Sequence, residues 1–265
     1  MSLESPSARL RALARVPFVG SATPIERLAR FEAALGSRYP IYVKRDDAIP
    51  TGFGGNKVRK LETVVAEAEA AGADALITCG GVQSNHCRAT AAAAAKRGLA
   101  CHVVLSGPEP SALTGNARLD ALFGASLHFV SGRAERNPRM EEIAAELRVS
   151  GRKPFVIPLG ASTPTGAAGL ALGLLEMLEQ GQRPDVVFHA SSSGGTQAGL
   201  VAGAALSGFT TRIIGVSADE SAETLAGIVR SLAGGVMGLA GSVAALPPIE
   251  VRDGSIGEGQ GIPTD

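Results

Sequence analysis

The chain has no tryptophan, and aromatic residues make up only 4% of its 265 positions. Surfaces that hold nucleic acid need a basic face and usually stacking rings. Here 25 basic side chains balance 25 acidic ones, with no formal net charge. Nucleic acid is therefore not an expected partner. No apolar run comes near the ~20 residues that cross a bilayer. The opening, MSLESPSARLRALARVPFVG, lacks the unbroken apolar core of a secretory signal. No membrane partner is expected, and the chain is read as cytosolic. Cys79, Cys87 and Cys101 form no CxxC pair and are odd in number, which argues against a disulfide framework and against a zinc site. They are expected as buried apolar thiols, and no metal is expected.

What is present is alternation. Short apolar runs rich in β-formers, Leu76–Cys79, His102–Leu105, Leu127–Val130, Phe155–Ile157, Val186–His189 and Ile213–Val216, read as strands. Helical stretches separate them. In Lys57–Ala71, for example, Leu61, Val64, Val65 and Ala68 follow the spacing of one buried face, and Gly72 ends the run. Strands separated by helices cannot pair as hairpins, so they form open parallel sheets with right-handed crossovers, covered on both faces. The fold class is α/β. The 34 glycines punctuate turns and form no repeat.

Open parallel sheets bind ligands beyond the carboxyl ends of their strands, where loops enter helix N-termini. Three loops carry unusual chemistry. In Gly52–Glu62, GFGGNKVRKLE, the helix is expected to start at Asn56 as N-cap, which puts Lys57, Arg59 and Lys60 in its first turn. Cations there oppose the helix dipole at about 0.3–1 kcal/mol each, so an anionic ligand is one way to compensate them. For Arg59 and Lys60 the plain alternative is water, or pairing with Asp46 and Asp47. Lys57 directly follows the glycine run. A lysine beside other cations in a partly dry cleft has a depressed pKa and can act as a Schiff-base nucleophile. No dinucleotide or kinase loop is completed here.

In the second loop, GGVQSNH (Gly80–His86), polar residues crowd the start of an alanine-rich helix. Its amides, with Ser84 and Asn85, suit a small carboxylate, although Ser84 read alone is simply an N-cap. His102, His128 and His189 sit in apolar strands and are given no chemistry. In the third loop, Ser191–Thr196, glycines and hydroxyls suit a phosphate. It is not a Walker loop, because no lysine follows its second glycine. A phosphate held without lysine, plus a free lysine at the mouth of the same fold, points to a phosphorylated aldehyde more than to a nucleotide.

Together VKRDD (43–47), GFGGNKVRKLE, GGVQSNH, TGNARLDALFGA (114–125), PLGASTPTGAAGL (158–170) and SSSGGTQAGL (191–200) resemble the family of 1-aminocyclopropane-1-carboxylate deaminase and D-cysteine desulfhydrase. That family belongs to the tryptophan synthase β-like, fold type II pyridoxal-phosphate enzymes. The resemblance implies that Lys57 carries pyridoxal 5'-phosphate and that Asn85 contacts the cofactor's phenolic oxygen. It implies that Ser84, with Asn85 and His86, meets a small amino-acid substrate, while Ser193, Gly194, Gly195 and Thr196 hold the phosphate. QSNH is similar to the desulfhydrase side of the family.

The expected architecture has two domains, a small one over 53–165 and a large one from 1–52 and 166–265, and uncovered apolar surface on the large one makes a homodimer the expected assembly. Against the family pattern, Gln260 stands where a tyrosine is usual and the chain ends early, which predicts an incomplete large domain with an exposed sheet edge. An impaired, partner-dependent relative and a phosphometabolite-binding protein remain as alternatives.

Overall fold

A computed structural model describes residues 5–257. The altered stretch around Gln260 lies outside them. The chain begins with helix α1 (Pro6–Arg11), then strand β1 (Ile25–Arg27), helix α2 (Ala29–Leu35) and strand β2 (Tyr42–Lys44). The two strands pair antiparallel, Glu26 opposite Val43. Strands this short carry too little periodicity to be read from sequence. The alternation then proceeds as expected through α3 (Asn56–Ala70), β3 (Ala75–Gly81), α4 (Asn85–Arg97), β4 (Ala100–Ser106), α5 (Gly115–Leu122), β5 (Ser126–Val130), α6 (Arg136–Val149), β6 (Pro154–Val156), α7 (Pro164–Glu179), β7 (Val186–Ser191), α8 (Gly195–Ser207) and β8 (Arg212–Ser217), and continues into α9 (Ala222–Leu239) and a strand not expected from the sequence, β9 (Glu250–Arg252).

All strand contacts beyond the first ribbon are parallel, and they fall into two sheets, β5-β4-β3-β6 and β7-β8-β9. In the first sheet the side chains alternate between two cores, as the pleat requires. Leu76, Cys101, Val103 and Leu105 pack with α3 and α4, while Ile77, Cys79 and Val104 pack with Met140, Ile143 and Ala144 of α6. The three cysteines are buried and free, split across those two faces. The second sheet packs Ile213 against α7, α8 and α9. Its edge strand β7 leaves Phe188 68% exposed. The N-terminal segment, read with the large domain from sequence, divides between cores: Leu10 joins the second sheet's core, and Val16, Phe18, Val19 and Ile49 join that of α3 and α4.

Helix α7 joins the two layers, and small residues make the joint. A Cβ on Gly169 would lie 2.0 Å from the backbone oxygen of Arg59 in α3, and one on Gly199 of α8 would lie 2.1 Å from that of Ala167 in α7. Real Cβ atoms do not approach so closely, so either helix axis must move if a methyl group is added. A half-buried ion cluster around the buried Arg59 locks the same joint. Arg59 donates to Asp46 (2.8 and 2.9 Å) and to Glu176 of α7 (3.0 and 3.1 Å), and Lys44 of β2 pairs with the same Glu176. Burial alone would raise the Glu176 pKa, but hydrogen bonds from Arg59 and Lys44 outweigh it and bring the carboxyl down to about 2.

Gly169→Ala is expected to cost about 2–3 kcal/mol and to lower Tm on the order of 5–10 °C. Gly238→Ala, in α9 where a new Cβ meets nothing within 4 Å, is expected to leave Tm unchanged or slightly higher. Thermal melts of both variants check this.

Candidate active site

Three helix N-termini meet between the layers. Helix α3 is capped by Gly55 without any side-chain acceptor. Asn56, expected as that cap, is itself the first helical residue, and its Nδ2 donates instead to Thr196 Oγ1 at 2.8 Å. The cap is thus exchanged for a link between the starts of α3 and α8. The adjacent Lys57 is half-buried, and desolvation of its amine pushes the pKa down, toward the uncharged form that a nucleophile needs.

Lys60 is fully buried, at 0% exposure, which corrects the expectation of water or an aspartate for this residue. Asp46 takes Arg59 as expected, while Asp47 pairs with Arg45. Lys60 Nζ donates to the Gly160 carbonyl (3.0 Å) and to Ser162 Oγ (3.4 Å), and among the described residues no carboxylate pairs with it. Burial first, then the neighbouring Lys57, drives its pKa well below the ordinary value. Ser162 Oγ in turn donates to Ser193 Oγ at 2.7 Å. A Cβ on Gly195 would fall 2.8 Å from Lys60 Nζ and 2.7 Å from Ser162 Oγ. The glycine therefore lets the start of α8 come down onto the ammonium.

A buried lysine amine without a carboxylate partner, beside two serine hydroxyls and a helix N-terminus, fits a phosphate group, whose charge would favour the protonated amine. Of the residues expected to hold it, Ser193, Gly194, Gly195 and Thr196 all lie at this junction. Lys60, Gly160 and Ser162 join them. Only the three cations crowded into one helix start hinted at this from sequence.

The second loop enters α4 from β3. Ser84 caps the helix, its Oγ accepting from Cys87 N at 3.2 Å. A hydroxyl that accepts this bond keeps its own proton free to donate, so capping and substrate contact are compatible. Asn85 is exposed. Its Oδ1 accepts from Arg88 Nη1 (3.1 Å) and Asn116 Nδ2 (3.0 Å). His86 is 2% exposed, with Nε2 held at 2.8 Å by Thr78 Oγ1. Because the Thr78 hydroxyl donates to the Ile157 carbonyl, the proton between Thr78 and His86 belongs to Nε2. Burial, then Lys57 and Lys60, pushes the His86 pKa well below its usual value, so the ring is neutral. His102 and His128 stack on each other in β4 and β5, away from these loops.

Asp120 of α5 is fully buried, and neither carboxyl oxygen finds a partner. Desolvation lifts its pKa to about 7, against the opposing pull of Arg88.

A desolvated lysine beside hydroxyls and glycines at helix starts, on an open α/β fold, is an arrangement that suits a pyridoxal-phosphate enzyme of fold type II. The chain belongs to the family described as pyridoxal-phosphate dependent enzyme, whose sequence profile matches residues 17–265. It is 42% identical over 218 residues to D-cysteine desulfhydrase of Serratia proteamaculans (strain 568), a match covering 79% of this chain and 66% of that protein. The chain thus spans just under two thirds of that relative's length. Among solved structures, an ACC deaminase homologue superposes with a TM-score of 0.88 at 35% identity, covering 94% of this chain and 76% of the other. A pyridoxal 5'-phosphate-dependent aspartate racemase shares the fold at 19% identity and a TM-score of 0.64, over 82% of this chain and 63% of that one.

Lys60→Met is expected to raise Tm of the cofactor-free chain, because it removes a fully buried amine that is costly to desolvate, and to weaken pyridoxal phosphate binding about tenfold or more. Melting curves and a binding titration check both. Asp120→Asn removes a carboxyl whose folded pKa lies above its unfolded value. The stability penalty of Asp120 is absent below about pH 4 and grows as pH rises toward 7. The variant is therefore expected to gain Tm over the parent at pH 8 and little or none at pH 4.

Proposed function

We propose that this chain is a pyridoxal-phosphate-dependent lyase or deaminase acting on a small amino acid, with D-cysteine as the favoured substrate. The products from D-cysteine are hydrogen sulfide, ammonia and pyruvate. The observation that carries the reading is the pairing of the uncharged-leaning Lys57 with the unpaired, buried Lys60 in the phosphate cradle.

In this reading Lys57 bonds the cofactor's aldehyde carbon, while Lys60, Ser162, Ser193 and the start of α8 hold its phosphate. Bound pyridoxal phosphate supplies an electron sink for charge developing at the substrate's α-carbon. The Lys57 amine, held beside the substrate's α-carbon, would be the base that takes the α-proton. The start of α4 receives the substrate carboxylate, with the free hydroxyl proton of Ser84 as one donor and the helix dipole favouring the anion. His86, neutral and held by Thr78, supports that loop from beneath. Asn85 presents its amide to the cofactor's phenolic oxygen. The chain's own contribution is thus to orient the reacting amine, keep the proton acceptor uncharged and exclude water around the phosphate.

The reading takes the protein as a cytosolic homodimer. Phe188 on edge strand β7, and separately Phe31 and Leu35 on α2, are exposed apolar side chains that a second subunit would cover in this reading.

With added pyridoxal phosphate, the purified chain is expected to develop a long-wavelength absorption band that shifts on titration with D-cysteine and is accompanied by sulfide release. Lys57→Ala abolishes the band while leaving phosphate binding measurable. A Lys57→Ala chain that keeps both colour and turnover overturns the assignment. 1-Aminocyclopropane-1-carboxylate in place of D-cysteine, read by ammonia release, distinguishes the deaminase arm.

A further inference from the structure

One guanidinium ties together three loops that the reaction as outlined leaves unexplained. Arg88, in the second turn of α4, donates from Nη1 to Asn85 Oδ1 and to Asn116 Oδ1, both at 3.1 Å, and from Nη2 to the Gly54 carbonyl at 2.9 Å. Asn116, at the start of α5, donates from Nδ2 to the same Asn85 Oδ1 (3.0 Å) and to the Gln83 carbonyl (2.9 Å). Its backbone N–H binds Gln83 Oε1 at 2.8 Å. The neighbouring Gly115 has φ +51°, and a Cβ there would lie 2.4 Å from Gln83 Oε1. The Thr114–Asn116 turn is therefore fitted against the Gln83–Asn85 loop.

The chemistry of the donors removes the usual ambiguity of an amide. Arginine has only N–H donors, so the atoms of Asn85 and Asn116 that face it must be oxygens. That sets both side chains, and the second bond from Asn116 Nδ2 to Asn85 Oδ1 agrees with it. Asn85 Oδ1 is thus occupied twice, and its Nδ2 has no partner among the described residues. The Nδ2 group is the face left for a ligand.

We infer that Arg88 and Asn116 are positioning residues that fix Asn85 with its NH2 outward as a hydrogen-bond donor, and that Arg88 also sets the Gly54–Gly55 lead-in to Lys57 against it. The inference rests on the reading above that Asn85 meets the cofactor's phenolic oxygen. A donor held there stabilises the ionised oxygen, which weakens its hold on the proton shared with the lysine-bound nitrogen. Without Asn116 or Arg88 the amide loses its fixed orientation and that stabilisation falls away.

The test is a pH titration of the absorption band of pyridoxal-phosphate-loaded protein for the parent, Asn116→Asp, Asn116→Ala and Arg88→Met. The variants are expected to raise the pH midpoint by about one pH unit, the equivalent of one lost hydrogen bond. Phosphate affinity should hold for both Asn116 variants, because the cradle at Lys60 is untouched. Asn116→Ala sits at a partly exposed position and keeps the test open if Arg88→Met fails to fold. A parent that forms the band with variants that titrate alongside it overturns the inference alone. A parent that forms no band overturns the functional reading and this inference with it.

Discussion

The cleft depends on how closely the backbone of α7 runs beside α3 and α8. At Gly169 there is no room for a methyl group against the Arg59 carbonyl, and at Gly199 none against that of Ala167. Helices that touch backbone to backbone cannot slide or separate without losing most of their contacts at once, since dispersion falls off within an ångström. Their common packing fixes where they begin. The Asn56–Thr196 bond and the Lys60–Ser162–Ser193 chain sit at that start, so the geometry of the phosphate cradle is inherited from the helix joint.

The electrostatics follow from the same packing. Three cations enter the first turn of α3, where the helix dipole is unfavourable to them, and each meets a different fate. Arg59 is turned toward the N-terminal segment and satisfied by Asp46 and Glu176. Lys60 is driven inward to carbonyl and hydroxyl oxygens, with no carboxylate beside it among the described residues. Lys57 is desolvated beside it. The satisfied cation anchors the layers, and in the proposed function Lys60 meets the phosphate while Lys57, its charge disfavoured by desolvation, reacts. Separating those roles over four residues requires one helix to face two layers at once.

Much of this was legible in the residues themselves. The six apolar runs became strands because β-branched residues between glycine turns suit a pleat, and both glycine-serine loops fell at helix starts, where sequence order alone puts a binding edge. The reading failed at Asn56, whose side chain leaves its own helix for Thr196 because a partner from α8 comes within reach. It failed at Lys60 too, since a lysine in a first turn is usually solvated. The three-residue strands β1, β2 and β9 gave no periodic signal, and the N-terminal segment's division between two cores has no local signature.

By itself the sequence determined the α/β class, the family's motifs and which loops carry hydroxyls, glycines and cations, because these follow from side-chain type and from periods of two and 3.6 residues. Which cation would be buried, which amide oxygen would face a guanidinium and which glycine would admit a neighbouring carbonyl were decided only by the tertiary structure. Those outcomes depend on atoms from separate elements, as for Asn116 with Asn85, or for Lys60 with Ser162 and Arg59 with Gly169, more than a hundred residues apart, brought together by packing that no local pattern encodes.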